Sequence, residues 1–262
     1  YIVRETTTPK NYAPVDNFIV TISENLPDTP QVWRVLLDEE FSARLKIVKT
    51  DAGTGRVIPI AGAEFSIYDI DRGQYVTQAT TYPHTTQHKT FVTDETGTFT
   101  LPEALQPGRY RIEEVSAPYG YLLNSTPVEV TVSDDSIYRV DAISGDPVIE
   151  VVVQDTAAKG RINVCKEGEV LAGYENGQFV YEMKRLPGVV FDVVAAEDIP
   201  TADRQKDDEG NAYLEYAAGT LVGTLTTDEN GEAYTDDLPL GVYNIIERQT
   251  INGFVLDDSV HT

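Results

Sequence analysis

YRIEEVSAPYGYLL, residues 110–123, has two counterparts in the same chain: YNIIERQTINGFVL at 243–256 and YIVRETTTPKNYAP at 1–14. Each begins Tyr-x-[Ile/Val]-x-Glu, so that Glu114, Glu247 and Glu5 each follow a tyrosine by four residues. Residues i, i+2 and i+4 of a strand share a face, which aims the glutamate the same way as the Tyr and the Ile or Val. A carboxylate directed into a core is costly unless it has partners. Made three times, the placement marks a repeated unit, and a repeat of this kind decides the architecture.

The flanks repeat as well. ARLKIVKTD (43–51) matches GRINVCKEG (160–168), and IAGAEFSIYD (60–69) matches LPGVVFDVV (186–194). FVTDETGTF (91–99), whose Asp-Glu-Thr-Gly reads as a hairpin turn, matches LTTDENGEAY (225–234), and LQPGRY (105–110) matches LPLGVY (238–243). The middle copy continues through TPVEVTVS (126–133) and DPVIEVVVQD (146–155). The opening of the chain carries only the end of a unit: the glutamate strand, then NFIVTIS (17–23) and QVWRVLLD (31–38). Asp38 precedes Lys49 by 11 residues (49 − 38), and Asp155 precedes Lys166 by the same 11 (166 − 155). A lysine therefore begins each unit and an aspartate ends it. The spacing divides the chain into 1–42, the end of a unit; 43–156, a complete unit; and 157–262, a unit without its last strand.

Composition points to an all-β chain. The 15 tyrosines, the many Val and Thr, and the Gly/Pro/Asp/Asn clusters suit short strands joined by turns, and no long capped amphipathic helix stands out. A net charge of −23 excludes nucleic acid and anionic membrane as partners, since both reward clustered Lys and Arg. No apolar run is long enough for a membrane-spanning helix. Cys165 is the one cysteine, so no disulfide framework exists. The chain begins at Tyr1 in mid-strand without a signal peptide, and reads as part of a longer protein.

If the first and last strands of the complete unit are neighbours, Lys49 and Asp155 meet in an apolar core with Glu114. Burial disfavours the charged forms of amines and carboxyls alike. A neutral amine is a nucleophile, and a protonated carboxyl can polarise a neighbouring carbonyl and carry protons. The constellation permits a Lys49–Asp155 amide with loss of water, which removes two costly buried ionisable groups. Lys46 shares the strand but falls on the opposite face from Leu45 and Ile47, so Lys49 is preferred.

Taken together, L-x-I-x-K-x-D, [LI]-x-G-x-x-F, T-D-x-x-G, L-x-x-G-x-Y-x-I-x-E and A-P-x-G-Y resemble the Cna B-type or SpaA-type domain. These are prealbumin-like β-sandwiches of Gram-positive pilins and surface adhesins, and the resemblance covers essentially the whole chain. It implies tandem sandwiches, one complete and two partial, each stapled by an autocatalytic intramolecular isopeptide bond. The family's triad carries onto Lys49, Glu114 and Asp155, onto Glu5 and Asp38 in the first copy, and onto Lys166 and Glu247 in the third. The glutamates would be proton relays, the first copy's lysine would precede residue 1, and the third copy's acceptor would follow residue 262. Many family members use asparagine where this chain has Asp38 and Asp155, so water rather than ammonia would leave. The third copy departs further, with Ile251 for Pro118 and Phe254 for Tyr121. The resemblance implies a structural role at the cell surface, with wall anchoring through parts outside this segment. Neighbouring domains of the same protein are its expected partners, and it implies neither a cofactor nor an enzyme acting on an external substrate.

Rival features are weaker. His84 and His88 sit in a loop without further ligand candidates, so no metal site is expected. TADRQKDDEGN (201–211) lacks the spaced ligands of a calcium loop and reads as a solvated loop. LPLGV (238–242) and RLPGV (185–189) superficially match a sortase signal but occupy repeat positions. A second reading gives the enlarged loops 167–185 and 196–218 of the third copy a host or matrix ligand, because loops on rigid sandwiches often carry binding.

Overall fold

A computed structural model describes residues 1–21 and 36–262. Among these there are strands and turns and no helix. Most of segment 31–38 and the end of 17–23, both expected as strands, lie outside the described residues. In the first copy Ile2–Val3 pairs with Phe18–Ile19, and Tyr12–Ala13 with Glu39–Glu40. The chain divides into two compact units, one made of Tyr1–Thr50, Pro59–Tyr119 and Leu123–Asp155, the other of Asp51–Ile58, Gly120–Leu122 and Thr156–Thr262.

The first unit is built on two sheets. One runs in the order Phe91–Val92, Glu64–Asp69, Gly108–Ser116, Val128–Val132. In the other, Arg44–Asp51 lies between Thr98–Thr100 and Pro147–Ala157. Alternation decides what each strand buries. Leu45 and Ile47, Phe65 and Ile67, Tyr110 and Ile112, and Val151 and Val153 all enter one apolar cluster drawn from both sheets. The ion pairs Arg44–Asp146 and Lys46–Glu150 climb together along the lysine and aspartate strands, so the two neighbours run the same way. The first and last long strands of the unit are thereby side by side.

The second unit holds a sheet ordered Leu221–Thr226, Val190–Ala195, Tyr243–Gln249, Val260–His261, over a core that includes Val189, Phe191, Val193 and Tyr243. Its lysine strand, Asn163–Cys165, pairs with Glu232–Tyr234. The enlarged segment 167–185 is an ordered hairpin of Glu167–Glu175 and Gln178–Arg185, turned at Asn176 and Gly177, whose φ values of 49° and 83° suit a tight two-residue turn. In segment 196–218, Ile199–Pro200 pairs with Leu214–Tyr216. Asp203 corrects the expectation of a wholly solvated loop at 201–211: it is buried and accepts hydrogen bonds from the Thr201 hydroxyl and the Gln205 amide.

The repeated motifs perform the same local tasks in both copies. Thr93 Oγ1 accepts from the Ala63 amide at 3.1 Å, and Thr227 Oγ1 from Val189 at 3.0 Å, each clamping a loop that contains a positive-φ glycine, Gly62 or Gly188. Tyr110 and Tyr243 each donate a 2.8 Å hydrogen bond to the carbonyl four residues earlier. The Asp-Glu-Thr-Gly turn behaves differently from the expected hairpin. Phe91 pairs with Phe65 in one sheet while Phe99 pairs with Ile47 in the other, so the turn carries the chain between layers. Leu225 opposite Phe191 and Ala233 opposite Val164 repeat that crossing in the second unit.

One pair of motif residues has been exchanged as a pair. In the second unit's turn segment, Asp51 Oδ2 accepts a 2.8 Å hydrogen bond from the Tyr121 hydroxyl, while Oδ1 accepts from the Gly53 and Thr54 amides. The corresponding residues of the third copy are Gly168 and Phe254. A Cβ on Gly168 would sit 2.5 Å from Phe254 Cε1 and 2.7 Å from Leu186 Cδ1. A buried polar pair has become a ring packed on bare backbone, which explains both departures together. Tyr121→Phe is expected to destabilise the chain by about 1–3 kcal/mol by leaving a buried carboxylate oxygen unpaired, whereas Gly168→Asp should destabilise by steric conflict. Chemical denaturation checks both, and a neutral Gly168→Asp would contradict the packing account.

Candidate isopeptide site

Lys49 lies near the end of its strand, in phase with Leu45 and Ile47, and its side chain is 0 % exposed. Glu114 lies in phase with Tyr110 and Ile112 on the facing sheet, with its side chain 1 % exposed. Asp155 ends the buried series Ile149, Val151, Val153 on the strand beside Lys49, and its side chain is also 0 % exposed. Lys49 Nζ stands 2.8 Å from Glu114 Oε1 and is also in contact with Asp155 Oδ1. The Phe65 ring, centred 5.4 Å from Nζ, closes the apolar side. The neighbouring charges face outward: Lys46 pairs with Glu150 in solvent, and Glu113 joins Arg111 and the Tyr75 hydroxyl.

One ammonium between two carboxylates leaves a sealed site with one negative charge in excess. Burial and the Glu114 charge penalise a second carboxylate, and Lys49 opposes them. Burial is the largest influence, and the Asp155 carboxyl is pushed up to about 6. Asp155 is thus the group best suited to hold a proton in this core, the form in which a carboxyl can be attacked by an amine.

Two positioning features escape a reading of the sequence. The ladder between Glu64–Asp69 and Gly108–Ser116 slips just after Glu114, with a bulge at Val115. In the second unit it slips just after Glu247, at Arg248. Bulges re-aim side chains beside functional groups, and here the same bulge follows the same glutamate, opposite Phe65 and Phe191 respectively. The second feature is Asn124. Its amide donates to Glu114 Oε2 at 2.8 Å, and its side-chain Nδ2 donates to the Gln154 carbonyl at 2.7 Å. Asn124 therefore ties the glutamate to the residue preceding Asp155. The only sequence signal is an offset of ten residues, which the first copy shares: the Val15 amide donates to Glu5 Oε2 at 2.8 Å.

The flanking copies hold parts of the constellation. Lys166 Nζ stands 2.7 Å from Glu247 Oε2, with Glu247 2 % and Lys166 23 % exposed. A cavity of about 440 Å³ opens beside them, lined in part by Phe191, Ile245, Asp257 and His261. The hydroxyl and amide of Ser259 hold Asp257 below the usual carboxylate range, with a contribution from the Lys166 charge. In the first copy Glu5 and Asp38 are half-buried and carry no ion pair among the described residues.

The SpaA prealbumin-like fold domain family model matches residues 43–146 and 181–262. No curated protein matches the chain. Among solved structures, the Bacillus anthracis TIE protein aligns over 99 % of this chain at 22 % identity with a TM-score of 0.52, and this chain spans 38 % of that one. A streptococcal ancillary pilin aligns over 100 % of this chain and 69 % of its own, at 17 % identity and TM-score 0.33. BcpA, the major pilin subunit of Bacillus cereus, aligns over 84 % and 94 %, at 14 % identity and TM-score 0.34. The repeated sandwich motifs and the family match over most of its length agree: this chain belongs to the SpaA prealbumin-like fold domain family.

Proposed function

We propose that this chain is a structural stalk segment of a cell-surface pilin or adhesin, stapled by an autocatalytic amide between Lys49 and Asp155. The observation that carries the reading is a lysine fully enclosed between two carboxylates on the strands that begin and end the first unit's sandwich. A buried ion triad is a poor source of stability, since desolvation offsets most of the attraction. As reactants the same groups are well chosen.

The chemistry balances as a condensation. With Asp155 protonated and the Lys49 proton passed to Glu114, the neutral Lys49 Nζ attacks Asp155 Cγ, while the protonated Glu114 donates a hydrogen bond to the Asp155 carbonyl oxygen and polarises it. A proton passes from the nitrogen through Glu114 to the departing hydroxyl. The Cγ–O bond breaks, water leaves, and an Nζ–Cγ amide remains. No cofactor or external substrate is required, so the chain acts on itself once. Lys166 and Glu247 are the corresponding amine and relay of the third copy, and Glu5 with Asp38 the relay and acceptor of the first.

The functional consequence is mechanical. Pulling on the chain loads the lysine strand at one end of the unit and the aspartate strand at the other, and a bond between them bypasses the hydrogen-bonded ladders. It encloses 106 residue steps (155 − 49). By loop-closure entropy this stabilises by roughly 4–5 kcal/mol. The chain has a single cysteine, so such a staple supplies what disulfides supply in other extracellular proteins.

Lys49→Ala should lower stability by at least about 4 kcal/mol, read as a fall in thermal midpoint. Tryptic digestion should release a branched peptide joining Lys49 to Asp155 in the wild-type chain and none from Glu114→Ala; separate linear peptides from the wild-type chain would overturn the proposal. Asn124→Ala keeps all three reacting groups and should lower the bonded fraction of freshly expressed chain. Complete bonding in that variant would remove Asn124 from the account.

A further inference from the structure

The hairpin of Glu167–Glu175 and Gln178–Arg185 has one face that the rest of its unit leaves open. Strand alternation puts Phe179, Tyr181 and Met183 on the same side. Cross-strand pairing brings Tyr174 opposite Phe179 and Leu171 opposite Tyr181. The Tyr174 and Phe179 rings meet edge to face with centroids 5.2 Å apart. All five side chains remain 56–64 % exposed. The other face is turned inward at its base, where Val170 packs on the second unit's core and Gly168 lies under Phe254. That face also carries Lys184 opposite Gly168, Glu182 opposite Val170 and, further out, Val180 opposite Gly173 and Gln178 opposite Glu175.

A stripe of three aromatic rings, a Leu and a Met is large for a solvated surface. Its only unpaired charge is Glu169, since Glu167 and Arg185 neutralise each other at 2.9 Å at the base of the hairpin. The chain's charge of −23 disfavours anionic lipid and nucleic acid on this stripe. Aromatic side chains bury about 150–250 Å² each, so at the exposure found here the stripe offers roughly 500 Å² per copy. Two such stripes laid face to face bury roughly 1,000 Å², the lower limit for a specific interface. A flat antiparallel hairpin with a continuous apolar face can pack on its own copy about a two-fold axis, as sheets do in a sandwich.

We propose that this stripe is a self-association surface, through which two copies of the chain pair hairpin to hairpin, weakly and reversibly. The proposal is independent of the isopeptide bond. The rest of each copy is strongly acidic, so the copies repel, and added salt should tighten the pair by shortening the screening length. A basic partner on the same stripe would show the opposite salt dependence.

Sedimentation equilibrium of the 262-residue chain tests this, at concentrations up to the millimolar range and at low and high NaCl. The expected result is a monomer–dimer equilibrium that shifts toward dimer at high salt. Phe179→Ser with Tyr181→Ser, both exposed and away from the core, should weaken it by about tenfold or more without lowering the thermal midpoint. A chain monomeric under every condition overturns the proposal, as does a dimer unaffected by the double variant. Binding to vesicles of anionic phospholipid that the double variant abolishes would assign the stripe to a membrane surface and equally overturn it.

Discussion

Lys49 holds its amine out of reach of water, between two carboxyl groups in an apolar interior. Such a group stays only if the surrounding structure compels it. The compulsion comes from three strands on two sheets whose alternation leaves no other side for Lys49, Glu114 or Asp155 to face. Because two acids share one base, the site carries an odd charge, and its easiest relief is a proton on Asp155, whose carboxyl burial has already pushed up to about 6. The cost of burying the triad and its suitability for condensation have the same origin.

The surrounding elements fix the geometry of that meeting. The bulge after Glu114 shifts the register of the ladder beside the inward-facing carboxylate. Asn124 binds the glutamate and the aspartate strand at once. The clamp of Thr93 on the loop at Gly62 and the layer-crossing turn at Asp94–Gly97 join the two sheets that carry Lys49, Glu114 and Asp155. The second unit reproduces the clamp, the crossing, the tyrosine hydrogen bond and the bulge. The third copy differs from the middle one in leaving Lys166 partly open, and in having Phe254 packed on Gly168 where the middle copy has the Asp51–Tyr121 hydrogen bond.

The period of two makes much of this readable from residues alone. Tyr110, Ile112 and Glu114 must share a face, as must Leu45, Ile47 and Lys49, so the all-β character and the burial phase of each strand follow from local pattern. What the pattern cannot carry is pairing at a distance. FVTDETGTF looks like a hairpin because its turn residues are right, yet Phe91 and Phe99 find partners in different sheets. Asp203 looks solvated because its neighbours are charged, and is buried because Thr201 and the Gln205 amide satisfy it. Asn124 carries no motif, and its role exists only once Glu114 and Gln154 are brought to either side of it.

The proposed stalk role depends on one covalent bond, between Lys49 and Asp155. Intact mass of the 262-residue chain under denaturing conditions measures it directly. The expected mass is one water below that of the sequence, restored to the full mass expected for its composition when Glu114 is replaced by Ala. A wild-type chain at its full sequence mass would contradict it.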